Sequence, residues 1–407
     1  MTDSNQEAIK QYGIVTLAYW AFTLTDGALR MLVLLYFYQQ GFGPISLALL
    51  FVLYEFFGVL TNLLGGWLGA RWGLNRTMIA GQILQIVALA ALLVPPAFLS
   101  VAWVMGAQAL SGVAKDLNKM SAKSGIKALV TQRGQAGGLL FRWVAWLTGS
   151  KNALKGLGFF LGGALLQGVG FQAAILVLIV LLVVSLIGAL LGLNTDMGKA
   201  SSKPKFKDIA SRSSKVNLLS LARLFLFASR DVWFVVSLPV VLTSVFGWQH
   251  SEIGAYFALW IIGYGLVQGL APWLTKGKAE TVGAGHIVGW TLPLIILVSL
   301  LAAQWQWGTP SEAILLIGLA GYALLFAVIS SVHSALILYW SRADGVSLDV
   351  GFYYMSNAAG RLLGTLLSGW SYQVMGLGAS LALSAVLLIA ALLSTLRIRE
   401  AIGLDGC

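Results

Sequence analysis

Charge is the scarcest commodity in this sequence. Asp, Glu, Lys and Arg make up 10% of its 407 residues, while 58% are hydrophobic and the mean hydropathy is +0.84. Soluble domains carry about 25% charged residues, so lipid is the main solvent of this chain. Cysteine is almost absent too. Cys407, the single one, is the last residue, which excludes a disulfide framework and a thiolate metal site. Histidines number three, His250, His286 and His333, and they are scattered. His250 and His286 fall near span ends, and only His333 lies well inside an apolar run, where a polar contact between helices is its default role. There is no metal-ligand spacing, nucleophile elbow or phosphate-binding glycine loop, so no catalytic residue, metal or cofactor is assigned and the chain is not read as an enzyme. Ten-residue alternating segments are missing, which excludes a transmembrane β-barrel. Met1 to Lys10 lacks a basic n-region and a small-residue cleavage site, so the first helix is expected to remain as an uncleaved anchor.

What the sequence has in abundance is apolar runs of 18 residues or more, the mark of an all-α membrane protein. Twelve spans are expected, near 12–38, 44–70, 74–94, 98–120, 140–167, 171–193, 217–245, 250–274, 281–303, 311–338, 350–373 and 378–397. The net charge of +11 would suggest nucleic acid in a soluble protein, but here it is sorted by loop. Connections at 39–43, 95–97, 168–170, 246–249, 304–310 and 374–377 hold no Lys or Arg. The alternate connections hold Arg71 and Arg76, then Lys123, Lys127 and Arg133, then the run Lys199 to Lys215, then Lys276, Lys278, Arg342, Arg397 and Arg399. The positive-inside rule therefore places both termini in the cytoplasm, and a multi-pass protein of the bacterial inner membrane is expected. Trp248, Trp305 and Trp307 lie at the other face, as an aromatic belt would.

Asn194 to Lys215 is polar, Ser- and Lys-rich and contains Pro204, as a linker between two six-helix bundles would be. The expected organisation is 1–194, a cytoplasmic basic linker over 195–215, and 216–407. A repeat supports it. An offset of 206 pairs Gly41 with Gly247, Asn62 with Gln268, Lys155 with Arg361, Gly158 with Gly364, Gly163 with Gly369, Gln167 with Gln373 and Gly170 with Gly376. An even number of spans per half makes the repeats parallel. Glycine pairs four residues apart, Gly158–Gly162, Gly265–Gly269 and Gly360–Gly364, are expected to serve helix packing.

The charges inside the spans carry the chemistry. Lys151 and Lys155 sit one turn apart within the apolar segment Leu139 to Gln167, long enough to cross a ~30 Å hydrocarbon core. A lysine at mid-depth costs roughly 2.5–3.5 kcal/mol on insertion scales, so it needs a partner, a wet cavity or a task. With Arg30, Arg223, Arg230 and Arg361 there are six cations well inside the spans, against three acids, Asp26, Glu55 and Asp231, before Lys115, Asp116 and Lys119 at the inner end of the fourth span are counted. Three positive charges are left over, and arginines cannot shed theirs. Asp26 and Arg30, four apart, share a helix face and are expected to pair. Asp231 points about 100° away from Arg230, so it need not neutralise that arginine. Glu55, between Tyr54 and Phe56, fits a hydrogen bond to a neighbouring helix as well as a proton-carrying role. The surplus calls for an anionic small molecule, held by Arg30, Lys151, Lys155, Arg223, Arg230, Arg361 and Asn357 (the repeat counterpart of Lys151). Asp26, Asp231, Glu55 and Asp116 are the proton-coupling candidates. Lys115, Asn118 and Lys119 continue the fourth span inward, either as a solvated helix end or as a cytoplasmic vestibule that draws in anions.

Local motifs carry a resemblance. Gly66-Trp67-Leu68-Gly69-Ala70-Arg71-Trp72-Gly73 resembles the loop motif after the second helix of the major facilitator superfamily, with Ala70 where that motif has aspartate. Gly149, Gly158 and Gly162 have the glycine spacing of its antiporter motif, with Gly163 where the proline stands. Thr16 to Arg30, Leu110 to Ser124, Phe141 to Gly163 and Ala222 to Pro239 together resemble the ArsJ family of organoarsenical efflux permeases. That resemblance implies export of 1-arseno-3-phosphoglycerate, made by a cytosolic glyceraldehyde-3-phosphate dehydrogenase that acts as functional partner without direct contact. It further implies arsenate resistance through an alternating-access proton antiporter. A phosphate-ester exchanger moving unmodified organophosphate fits the same charges. A polytopic membrane enzyme or a sensor is the alternative from another class, and the scattered histidines argue against a catalytic set. The lipid bilayer is a partner, nucleic acid is not, and a monomer is expected.

Overall fold

The structure is a computed structural model that describes residues 3–72, 74–132, 138–193, 213–274, 283–340 and 346–404. These form α1 (Asp3–Gln39), α2 (Pro44–Trp72), α3 (Leu74–Ala90), α4 (Val101–Gln132), α5 (Gly138–Gly192), α6 (Ser214–Phe234), α7 (Ser237–Ser244), α8 (His250–Leu274), α9 (Ala284–Trp307), α10 (Glu312–Trp340) and α11 (Val346–Leu404). No strand occurs among the described residues. Among the described residues nine stretches are long and apolar enough to cross a membrane. Two of them, 43 and 50 residues long, are each two spans joined at a glycine, Gly170 (φ 78°) in α5 and Gly376 (φ 73°) in α11. Those positive φ values suit only a residue without Cβ. Counting both halves of each, and adding α4 with its polar Lys115–Lys119 stretch, gives the twelve spans expected.

The seventh span is less regular than expected. It breaks between Phe234 and Ser237 into α6 and α7. Pro239 has no N–H to bond the Val235 carbonyl, which interrupts the ladder at this point. The freed amides of Val236 and Ser237 donate to Ser368 Oγ on α11, each at 3.2 Å. Such replacement partners are what permit irregular backbone at membrane depth.

The chain divides into two compact units. The first comprises Met1–Tyr36, Leu60–Lys205 and Gln249–Ile261, the second Phe37–Val59, Phe206–Trp248 and Ile262–Cys407. The start of α8 thus belongs with the N-terminal helices, and the start of α2 with the C-terminal ones. In the first unit α1 packs against α5 without side chains between them. A Cβ on Gly158 would collide with the Leu24 carbonyl, and one on Gly162 with the Ala28 carbonyl. In the second unit α6 packs in the same manner on α11, where a Cβ on Gly360 would collide with the Leu224 carbonyl. Gly269 has open space around it, so the packing role expected from the Gly265–Gly269 spacing is not present there.

Equivalent positions of the repeat do equivalent work. Gly163 presses on the His250 carbonyl at the start of α8, and Gly369 on the Pro44 carbonyl at the start of α2. Gln167 Oε1 accepts a hydrogen bond from Ser251 N at 3.1 Å, and Gln373 Oε1 accepts one from Ile45 N at 3.1 Å. Each glutamine caps an otherwise unsatisfied amide of a helix start. Leucine at both positions is expected to cost about 2 kcal/mol together. Thermal melting of the purified double variant, a few degrees below wild type, checks this.

Candidate functional site

The second unit contains a four-membered ionic chain built by α2, α6 and α11. Arg361 Nη2 lies 2.6 Å from Glu55 Oε1, and its Nε lies 3.4 Å from Asp231 Oδ2. Asp231 Oδ1 in turn accepts from Arg230 Nε at 2.6 Å. Glu55 and Asp231 are buried, and Arg230 is nearly so. Two cations and two carboxylates leave the chain with no net charge. Asp231 thus does pair with Arg230, which the helical angle alone did not require. The helical angle fixes where the two Cβ atoms point, but the flexible arginine stem brings the guanidinium round to its neighbour. Glu55 bonds across helices as expected, to an arginine 306 residues away. Arg230 also lies over aromatic rings, with Cζ 4.9 Å from Phe227 and 5.5 Å from Phe326.

One turn-pair earlier on α6 stands a different arginine. Arg223, 4% exposed, donates from Nη1 to the backbone carbonyl and the hydroxyl of Ser330 on α10, both at 3.0 Å. With the Asn357 amide turned so that its oxygen faces the guanidinium, the orientation that satisfies both groups, that oxygen accepts from Arg223 Nε at 3.0 Å and Nη2 at 3.3 Å. Phe227 and Tyr353 cover the guanidinium at 4.1 and 5.1 Å. Among the described residues these hydrogen-bond partners are neutral, so the positive charge of Arg223 is solvated by dipoles and ring faces and cancelled by no carboxylate. Ser330 extends the cradle. Its hydroxyl is bonded by Tyr264 at 3.2 Å, and Gln268 Nε2 donates to Tyr264 at 2.7 Å.

The first unit holds the remaining candidates. Asp26 and Arg30 are buried on α1, and Lys151 and Lys155 are half-buried on α5. Lys155 Nζ lies 5.6 Å from the centre of the Phe159 ring, and its backbone carbonyl lies against Gly27 of α1. Ser150, at the head of the lysine stretch, accepts from Trp20 Nε1 at 2.8 Å. On α4, Asp116 accepts from Thr61 at 2.8 Å and pairs with Lys119 at 3.5 Å, while Lys119 also donates to Asn62 at 3.0 Å. Lys119 is therefore committed to α2, and Asn118 to its own helix through the Ala114 carbonyl at 2.9 Å. Lys115 is half-exposed. The side chains of Gly66 to Trp72, Gly149, Lys123 and Lys127, and residues 73, 133–137, 194–212, 275–282, 341–345 and 405–407, lie outside the described part. They include most of the basic linker and the loop motif.

Ser330, Tyr264 and Gln268 were not candidates, because an uncharged residue in an apolar span gives no signal of its own. The repeat held a hint: Gln268 is the counterpart of Asn62, and each joins the polar cluster of its unit.

Residues 15–337 match the sequence profile of the Major Facilitator Superfamily. The chain belongs to that superfamily and is a multi-pass membrane transporter. Solved structures agree on the fold. The nucleoside transporter NupG is similar with a TM-score of 0.75 at 11% identity, covering 97% of this chain and 99% of that one. A proton-dependent oligopeptide transporter is similar at 0.72 and 16% identity, covering 98% and 99%. The human organic anion transporter MFSD10 is similar at 0.65 and 16% identity, covering 97% and 100%. No curated protein matches the chain in sequence.

Proposed function

We propose that the protein exports a small, multiply anionic phosphate or arsenate ester by alternating access. The observation that carries this reading is Arg223: a buried guanidinium, charged at any physiological pH, whose partners among the described residues are neutral. A transporter of cations or neutral solutes gains nothing from such a charge at membrane depth, whereas an anion completes it. Arg230 and Arg361 supply the exchangeable part, since an anion takes their forks in place of Asp231 and Glu55. Asn357 adds an amide. In the first unit Arg30, Lys151 and Lys155 remain candidate ligands, Lys115, Asn118 and Lys119 form the approach, and Asp26 and Asp116 join Glu55 and Asp231 as proton-coupling candidates.

The cargo implied by the resemblance is 1-arseno-3-phosphoglycerate, and its export from the cytoplasm across a bacterial inner membrane would confer arsenate resistance. The test uses inverted vesicles supplied with arsenate, glyceraldehyde 3-phosphate, its dehydrogenase and the nicotinamide cofactor, with arsenic uptake as the readout. Arg223→Lys is expected to lower the initial rate at least about tenfold, because lysine offers a point charge where the cradle is shaped for a planar fork. Wild-type uptake by Arg223→Ala vesicles would sink the reading. Competition of the arsenic flux by 3-phosphoglycerate identifies a phosphate-ester exchanger instead.

A further inference from the structure

We infer that the Nε–Nη2 edge of Arg223 is the seat of the cargo's phosphate or arsenate end, and that the Asn357 amide oxygen holds this seat until the cargo arrives. The inference rests on the reading of the protein as a carrier of anionic esters. The two edges of the guanidinium are occupied differently. Nη1 donates to the carbonyl and hydroxyl of Ser330 on α10, both at 3.0 Å. Ser330 is fully buried, and Tyr264 and Gln268 also donate to its hydroxyl, at 3.2 and 3.3 Å. That edge is an anchor, and it fixes the plane of the fork.

The other edge meets one oxygen among the described residues, that of Asn357, at 3.0 Å from Nε and 3.3 Å from Nη2. These two parallel N–H groups are the pair that a guanidinium offers to an oxyanion in bidentate geometry. A single neutral oxygen shared between them stands where two oxygens of an anion fit. The Asn357 side is also the more open one, since Asn357 is half-buried and Ser330 is not exposed at all.

Charge decides which fork takes the more highly charged end of the ester. At Arg230 and Arg361 an incoming anion competes with the carboxylates of Asp231 and Glu55. At Arg223 it displaces a neutral amide, which leaves no buried carboxylate behind without its arginine. Shape then selects a tetrahedral group. Two of its terminal oxygens take the fork, and the third accepts from the Asn357 amide once that side chain turns its N–H groups inward. A carboxylate has no third oxygen to offer. His333 stands one turn beyond Ser330 on α10, is 1% exposed, and lies within the field of Arg223. Its Nδ1 has no hydrogen-bond partner among the described residues, and with a proton there it is a further donor to the anion.

Asn357→Asp tests this, because it puts a carboxylate of the same shape permanently into the fork. Titration calorimetry of the purified full-length proteins compares 3-phosphoglycerate with glycerate, which lacks the phosphate. Wild type is expected to bind 3-phosphoglycerate at least about tenfold more tightly than glycerate. In Asn357→Asp the two probes are expected to bind within about threefold of each other. The variant is expected to stay folded, because a buried guanidinium gains an acid. If it does not fold, the wild-type preference decides alone. Equal wild-type affinities for the two probes, or a preference that Asn357→Asp retains, overturns the inference and leaves the anion reading standing. Asn357 would then be a polar tie between α6 and α11. No binding of 3-phosphoglycerate by wild type overturns both.

Discussion

Arg361→Ala is expected to abolish transport and to destabilise the folded protein by about 3–5 kcal/mol, the usual cost of leaving buried charge without its partner. The substitution removes a cation that touches both Glu55 and Asp231. Asp231 retains Arg230, and Glu55, which is fully buried, loses its 2.6 Å ion pair with Arg361, so part of the penalty falls there. Adding Glu55→Gln to Arg361→Ala should therefore recover part of the lost stability while transport stays absent. That pairing separates two roles that a single substitution confounds. A structural arginine would give back both stability and flux in the double variant, whereas an anion ligand gives back stability alone. Thermal melting and vesicle uptake on wild type, both single variants and the double variant complete the cycle. Rescue of uptake in the double variant would remove Arg361 from the anion site.

Why the spans were legible and the ion pairs were not is a matter of range. Hydrocarbon thickness acts on every residue of a span, so twelve runs stand out against the 10% charged residues of the chain. The repeat was legible for another reason. A positive φ at Gly170 and Gly376, a helix start capped by Gln167 and Gln373, and a carbonyl pressed on Gly163 and Gly369 each demand one residue type, so both copies keep it at the same offset. Side-chain destinations are not local in that sense. The angle between Arg230 and Asp231 left their pairing open because an arginine reaches several ångströms from its Cβ. No spacing links Glu55 to Arg361, and Ser330 carries no charge to announce the Arg223 cradle. Gly265–Gly269 shares its spacing with two tight contacts, yet Gly269 faces open space, because spacing does not say which face of a helix has a neighbour.

Gly360→Leu is expected to be the most disruptive single change outside the charged groups. α6 and α11 meet at Gly360 and Gly364 with backbone against backbone: a Cβ at Gly360 would collide with the Leu224 carbonyl, and one at Gly364 would lie 2.8 Å from the Ala228 carbonyl and 2.8 Å from Asp231 Cβ. Neither obstacle is the movable end of a side chain, so the helices themselves must part. Overpacking typically costs 1–3 kcal/mol where side chains can adjust, and a leucine against fixed backbone is expected to reach at least about 3 kcal/mol. Function suffers beyond stability, because Arg361 follows Gly360 directly and Asp231 faces Gly364. Parting the helices lengthens the 3.4 Å contact between Arg361 and Asp231, which exists only because the crossing is that close. The Leu variant should therefore transport poorly even at temperatures where it remains folded. Gly269→Leu, on a helix face with nothing within 4 Å, is the matched control and should melt within about a degree of wild type. Equal melting temperatures for the two variants would show that the α6–α11 crossing tolerates side chains. The glycines would then owe their place to something other than close approach.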